Sequence, residues 1–161
     1  MRAIIQRVLR GDVQVDGQTV GRVGRGLLVY VGVAVTDTKA DAEQMAEKIA
    51  ALRIFDDKDG KLNLSVRDAR GGVLAVPNFT LLADARKGRR PAFVDAAGPD
   101  AAKALFEAFV AALLACECTV ATGPFGASMV IHSAADGPVN IVLDLPGGQG
   151  PRAGAAEPPN A

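Results

Sequence analysis

Side-chain chemistry is scarce in this chain. His132 is the only histidine, so a Ser–His hydrolase would have to use it, yet no G-x-S-x-G elbow supplies the nucleophile. A plain strand histidine is the simpler reading. Cys116 and Cys118 stand one residue apart, too close for an ordinary disulfide and too few for structural zinc. They read as two reduced thiols at the start of a strand. Asp57-x-Asp59-Gly60 has the front of a calcium loop without the third acidic ligand or the distal glutamate, and reads as a polar turn. Gly21-x-x-Gly24-x-Gly26 has the wrong spacing for a dinucleotide loop. Neither a metal nor a cofactor is expected. An enzyme built on this sequence would work through its backbone or its substrate.

Three segments hold the remaining chemistry. Pro77-Asn78-Phe79-Thr80-Leu81 follows an apolar run and brings polar residues and an aromatic to a strand end, where ligand sites commonly lie. In Asp136-Gly137-Pro138-Val139 the X-Pro bond tolerates the cis form at about 0.5–1 kcal/mol. Glycine lacks the Cβ that would block an approaching ligand, so this pair can offer two fixed carbonyl acceptors in a narrow space; as plain turn punctuation it would do nothing. The loop Arg86-Lys87-Gly88-Arg89-Arg90 gathers four positive charges, suited either to phosphate or to solvent.

The elements that must position these segments follow from periodicity. Residues 3–9 and 12–16 read as strands, with Asp16-Gly17 as a hairpin turn and 19–23 as the return. Residues 27–33 are apolar almost throughout, as in a central strand covered on both faces. Ala42, Met45, Ala46, Ile49 and Leu52 form one stripe of a helix over 39–53. Residues 73–76 make a short buried strand. A second helix begins at Pro99, a residue suited to a first turn, with Ala102, Leu105, Phe106, Phe109 and Leu113 on its apolar face. Residues 118–120, 129–131 and 139–143 close the fold as three strands. The expected architecture is α/β: mixed, mainly antiparallel sheets with two helices packed on one side, three layers in all. Residues 1–146 form the domain, and 147–161 read as a disordered tail of Gly, Pro and Ala.

Composition bounds the partners. The chain has 161 residues, 49% hydrophobic and 22% charged, with 18 basic against 18 acidic residues. Zero net charge argues against a chain-wide basic field and leaves room for a local patch. Charge interrupts the N-terminal segment, and no run of ~18 apolar residues exists. A cytoplasmic protein with no membrane partner is expected.

A set of blocks in order resembles the D-aminoacyl-tRNA deacylase family. They are Ile5-Gln6-Arg7-Val8, Gly26-Leu27-Leu28-Val29 with Gly32-Val33, Arg53-Ile54-Phe55 and Gly60-Lys61-x-Asn63-Leu64. Phe79-Thr80-Leu81 with Ala83-Asp84, Gly88-x-Arg90-Pro91-x-Phe93, Thr122-Gly123-x-Phe125 and Asp136-Gly137-Pro138-Val139 complete the set. Residues 1 to about 145 are covered. The resemblance implies a symmetric homodimer whose partner molecule is tRNA rather than DNA. It implies that Gly137 and Pro138, as a Gly-cis-Pro pair, reach into the partner's pocket, and that Arg7 helps hold them. It also implies that Pro77, Asn78, Phe79 and Thr80 line the pocket, with Phe79 and Thr80 supplying backbone donors and Met129 nearby. Arg86, Lys87, Arg89 and Arg90 would then meet the acceptor stem. The family has Ser and Gln where this chain has Pro77 and Asn78. A sister branch of relaxed chirality shares the proline, while Phe79 and the Gly-Pro context match the D-specific branch. Ala135 and Asn140 differ from the family's Asn and Thr around Gly-Pro.

Overall fold

The structure is a computed structural model describing residues 1–86 and 88–145. The expected tail, Pro146 and Lys87 lie outside the described residues. Strands β1 (Arg2–Val15), β2 (Gln18–Val23) and β3 (Gly26–Gly32) lead to helix α1 (Lys39–Ala51). A small hairpin, β4 (Phe55–Asp56) and β5 (Leu62–Leu64), precedes β6 (Gly72–Pro77) and a 3-10 turn (Phe79–Leu82). Helix α2 (Pro99–Ala115), β7 (Thr119–Thr122) and β8 (Val130–Asp144) complete the order.

One six-stranded sheet runs β2-β1-β3-β6-β7, with β8 on the other edge of β1. β1 is antiparallel to β2, β3 and β8, whereas β3, β6 and β7 run parallel. The Asp16-Gly17 turn has positive φ at both residues, 50° and 76°, as a type I′ turn requires. The sheet curls until β2 approaches β7: a Cβ on Gly21 would stand 2.7 Å from the Thr122 carbonyl oxygen.

Alternation along β3 divides the interior in two. Leu27, Val29 and Val31 enter a large core with Ile5 and Ala75, beneath Met45 and Ile49 of α1 and Phe106 and Phe109 of α2. Leu28 points the other way, into a smaller core with Val8, Val13, Leu74 and Val76 inside the curl. Fully burying each such side chain contributes about 1.5–3 kcal/mol before entropy is counted. Both helices thus pack on one face of the sheet, as the sequence indicates. α1 starts at a capping box in which Thr38 Oγ1 accepts from the Asp41 N–H and Asp41 Oδ2 accepts from the Thr38 N–H. It stops at Ala51, two residues before the expected end, because Leu52 turns extended.

Two other expectations change. Segments 3–9 and 12–16 form one strand apart from Asp16, which lies in the turn, and 129–131 and 139–143 form another apart from Met129, which precedes β8. The β4–β5 hairpin arises where only a break was expected. Asp57 organises its turn by accepting from the Lys61 and Asp59 N–H groups, which hold its carboxyl below the usual range. Both cysteines are free, and burial pushes the Cys118 thiol up.

Gly26 and Gly60 make contrasting tests. A Cβ on Gly26 would sit 2.0 Å from the Gly72 carbonyl oxygen, backbone against backbone, whereas Gly60 faces open space at φ 74°. Gly26→Ala should destabilise by about 3 kcal/mol or more, and Gly60→Ala by about 1 kcal/mol. Urea unfolding of both variants measures the difference, which vanishes if the β3–β6 approach is not this close.

Candidate active site

Parallel strands β3, β6 and β7 end on the same side of the sheet, and the chain diverging from such ends leaves a crevice. A cavity of about 310 Å³ occupies it, within the range of small-ligand sites. It opens where the two cores meet. Val31, Val33, Ala102 and Phe106 bring the helix-side core to one wall. Tyr30, Met129 and Ile131 bring the inner core to the other. Pro77, Asn78 and Phe79 form the rim at the end of β6, and Phe125 to Ala127 close the far side.

Each rim residue has a local cause. The Asn78 N–H donates to the Val31 carbonyl at 2.8 Å, so by strand alternation the nitrogen of Pro77 faces β7. That strand's ladder has already ended at Thr122, opposite Ala75. Pro77 therefore costs the sheet no ladder bond, the condition under which proline is tolerated in strands. The pocket wall there has a carbonyl and no N–H donor. Asn78 is the N-cap of the 3-10 turn: its Oδ1 accepts from the Thr80 N–H at 3.1 Å and from the Thr80 hydroxyl. Phe79 opens that turn, and the first helical N–H groups have no acceptor within the turn itself. With the Thr80 N–H turned to Asn78, the Phe79 N–H is the rim's available donor. Phe79 is 57% exposed and meets Phe93 edge-on at 5.0 Å.

Arg7, Gly137 and Pro138 lie elsewhere. In the β1–β8 ladder Gln6 opposes Asn140 and Val8 opposes Ala135, so two steps along β1 span five along β8. Residues 136–139 bulge out opposite Arg7. The Gly137-Pro138 bond is cis, and Gly137 has φ 118°, a backbone region that favours glycine. Arg7 is 5% exposed and ties the bulge to the β4 segment. Its Nη1 donates to the Ile54 carbonyl at 2.8 Å and to Asp56 Oδ2 at 3.3 Å. Its Nε stands 3.1 Å from Asp136 Oδ2, an ion pair outside hydrogen-bond geometry. Neither Gly137 nor Pro138 lines the cavity of its own chain.

The basic loop is closed by an Asp84–Ala92 bridge. Asp84 takes the Arg86 guanidinium through Nε at 2.9 Å and Nη2 at 2.8 Å, which raises the arginine's pKa and offsets its charge. Arg89 and Arg90 are exposed. Through Phe93, the segment after the loop rests on Phe79 at the pocket rim.

Thus Pro77, Asn78, Phe79 and Met129 share one cavity, Thr80 sits beside its rim, and Arg7, Gly137 and Pro138 form a separate cluster. The pocket roles of Tyr30, Phe106 and Phe125, and the pairing of Asp56 and Asp136 with Arg7, are not legible in the sequence. The usable signal was the end of the apolar 27–33 run, which shares the pocket side with the end of 73–76.

A curled mixed sheet with paired helices on one face is a fold that this chain shares with solved proteins. The family model for D-Tyr-tRNA(Tyr) deacylase matches residues 4–144, and the chain belongs to that family of hydrolases. It is 55% identical over 149 residues to a D-aminoacyl-tRNA deacylase of Heliobacterium modesticaldum, covering 92% of this chain and 99% of that one. With the D-aminoacyl-tRNA deacylase of Desulforamulus reducens it shares 50% over 144 residues, 89% and 97% of the two chains. Among solved structures, one described as c-Myc DNA Unwinding Element Binding Protein superposes with TM-score 0.85 at 37% identity, covering 91% and 99% of the two chains. A probable eukaryotic D-amino acid tRNA deacylase superposes at 0.77 with 19% identity, over 89% and 98%, and shows the shared fold.

Removing the Arg7 charge tests the cluster. Arg7→Met leaves Asp56 and Asp136 without their shared cation and the Ile54 carbonyl without its donor. A loss of about 2–3 kcal/mol is expected. Asp136→Asn should cost under about 1 kcal/mol, because that carboxylate is partly exposed and screened. Equal losses in thermal unfolding would contradict this assignment of the cluster.

Proposed function

We propose that this chain is a homodimeric, cytoplasmic D-aminoacyl-tRNA deacylase that hydrolyses the ester joining a D-amino acid to the tRNA 3′ end. The observation that carries the reading is the rim formed by Pro77, Asn78 and Phe79 over an apolar cavity, in a chain of this family. The ester is already activated, so hydrolysis needs mostly positioning and charge stabilisation. Water adds to the carbonyl carbon, the carbonyl oxygen becomes an oxyanion, and the ribose 3′ oxygen leaves with a proton as the free amino acid departs. The Phe79 N–H is the donor for that oxyanion, and the substrate's 2′-hydroxyl orients the water. Thr80 joins only when its N–H leaves Asn78 Oδ1, so the Asn78 cap sets how many donors the site offers.

Handedness is sorted by Gly137 and Pro138 of the partner subunit. Their place on the bulge, outside their own cavity, supports a role at a neighbouring protomer's pocket. β8 also supports pairing, since among the described residues its outer edge has no strand partner and it exposes Val130 and Val142. Carbonyls gripping the α-amino group leave no room for an L side chain and direct a D side chain outward. Glycine has no side chain to reject, so glycyl-tRNA is a substrate as well.

A second reading is favoured by Pro77, which removes a backbone donor from the pocket and is shared with the branch of relaxed chirality. Purified protein incubated with D-tyrosyl-tRNA and L-tyrosyl-tRNA distinguishes the readings. Rapid loss of the D ester alone is expected. Loss of both supports relaxed chirality, and tRNA binding with loss of neither marks a non-catalytic binding module.

Gly137→Ala sets a Cβ 2.8 Å from the Val139 nitrogen at a positive φ. It should lower kcat/KM on D-tyrosyl-tRNA by about 100-fold, with the pocket's own residues untouched. A variant of wild-type activity would remove the pair from the mechanism. For the basic loop, Arg89→Gln with Arg90→Gln should raise KM for tRNA and reduce the salt slope of binding by roughly 1–2. An unchanged slope means that this loop meets solvent rather than phosphate.

A further inference from the structure

Tyr30 is the one tyrosine of the chain, which has no tryptophan. It lies near the end of β3, between Ile4 of β1 and Val76 of β6, so cross-strand neighbours fix its ring. The ring packs on the inner core beside Met129 and Ile131, and the residue lines the pocket. Its hydroxyl has no hydrogen-bond partner among the described residues. A phenol next to a ligand cavity usually finds a partner, and here that partner has to come from the pocket's contents or from water. Burial raises the phenol's pKa, so it stays a neutral donor and acceptor at neutral pH.

The surroundings indicate what it would meet. Phe106 and Phe125, which pack with the helix-side core, line the same cavity as Tyr30 and Met129. Two apolar walls of aromatic rings and a thioether make a slot suited to a flat heteroaromatic ring. The available main-chain donor, the Phe79 N–H, belongs to the rim at the end of β6. An ester at the rim therefore leaves its attached nucleoside to the slot, where Tyr30 is the polar group on the inner wall.

We propose that the Tyr30 hydroxyl binds substrate by hydrogen-bonding an edge of the base of the terminal nucleoside. This assignment rests on the deacylase reading of the pocket. Tyr30 takes no part in bond making, and it affects affinity rather than chemistry. The amino acid carried by the ester is irrelevant to its contribution.

The test uses the whole protein with two probes, adenosine and 3′-deoxy-3′-(D-alanylamino)adenosine, in which an amide replaces the labile ester. Because Tyr30 is the sole tyrosine in a chain without tryptophan, near-ultraviolet fluorescence reports on it alone. The amide probe should change that emission saturably, with the midpoint that calorimetry gives. Tyr30→Phe should bind both probes about 3–10-fold more weakly and melt at nearly the wild-type temperature. It should raise KM for D-tyrosyl-tRNA and for glycyl-tRNA by the same factor, with kcat held. Probe binding that is unaffected by Tyr30→Phe, or that leaves the emission unchanged, overturns this assignment and leaves the deacylase reading standing. A fall in kcat at constant KM also overturns it. Failure of wild-type protein to bind the amide probe or hydrolyse D-tyrosyl-tRNA overturns both.

Discussion

The position of Gly137 and Pro138 depends on the interrupted pairing of β1 with β8. Two residues of one strand span the distance of five on the other, and the excess leaves the ladder as a bulge carrying Gly137 and Pro138. A bulge in an edge strand is a standard device for re-aiming residues. Here it is anchored from below by a buried arginine shared among the Ile54 carbonyl, Asp56 and Asp136. Arg7 reaches them because it sits mid-strand, where alternation sends its side chain toward the β4 segment. A charge buried this far is tolerated only with several partners, and it therefore fixes the bulge relative to the hairpin.

The pocket has a different origin. It follows from three parallel strands ending together and from two cores that do not merge. Helix-side residues and inner residues leave a gap at the strand ends, and the capped 3-10 turn closes it with main chain. Pro77 fits this position because its nitrogen faces the side where β7 has stopped. Any other residue there would bring an N–H to the pocket; this chain instead has the Phe79 N–H and a Thr80 N–H held by Asn78. Within one protomer neither Gly137 nor Pro138 lines the pocket, and in the proposed dimer the bulge and the pocket are two half-sites that complete each other across the subunits.

Much of this was legible in the sequence. Strong apolar periodicity gave away α1, α2 and β3, and the Asp16-Gly17 turn announced its hairpin. The rim segment and the Gly-Pro segment stood out by residue type. What was not legible has physical reasons. Arg10-Gly11 and Gly137-Pro138 look like chain breaks, yet both are irregularities inside long strands, because pairing to a neighbour overrides local turn preference. β4 and β5 are too short to show a period. Tyr30 is hidden in an apolar run whose alternation sends it to the inner core, and no local pattern shows that the strand ends one wall of a cavity. Arg7 resembles an ordinary surface charge until the hairpin carrying Asp56 is folded over it.

Mixing two inactive variants tests the central claim of complementary half-sites most directly. One, Ala127→Trp, fills the pocket and leaves the bulge intact; the other, Gly137→Ala, disturbs the bulge and leaves the pocket intact. If each site combines one protomer's pocket with its partner's bulge, subunit exchange creates one sound site per mixed dimer. Activity on D-tyrosyl-tRNA should then recover to roughly a quarter of wild type at equal proportions. A mixture as inactive as its components, with exchange into mixed dimers verified by mass spectrometry, would contradict the account.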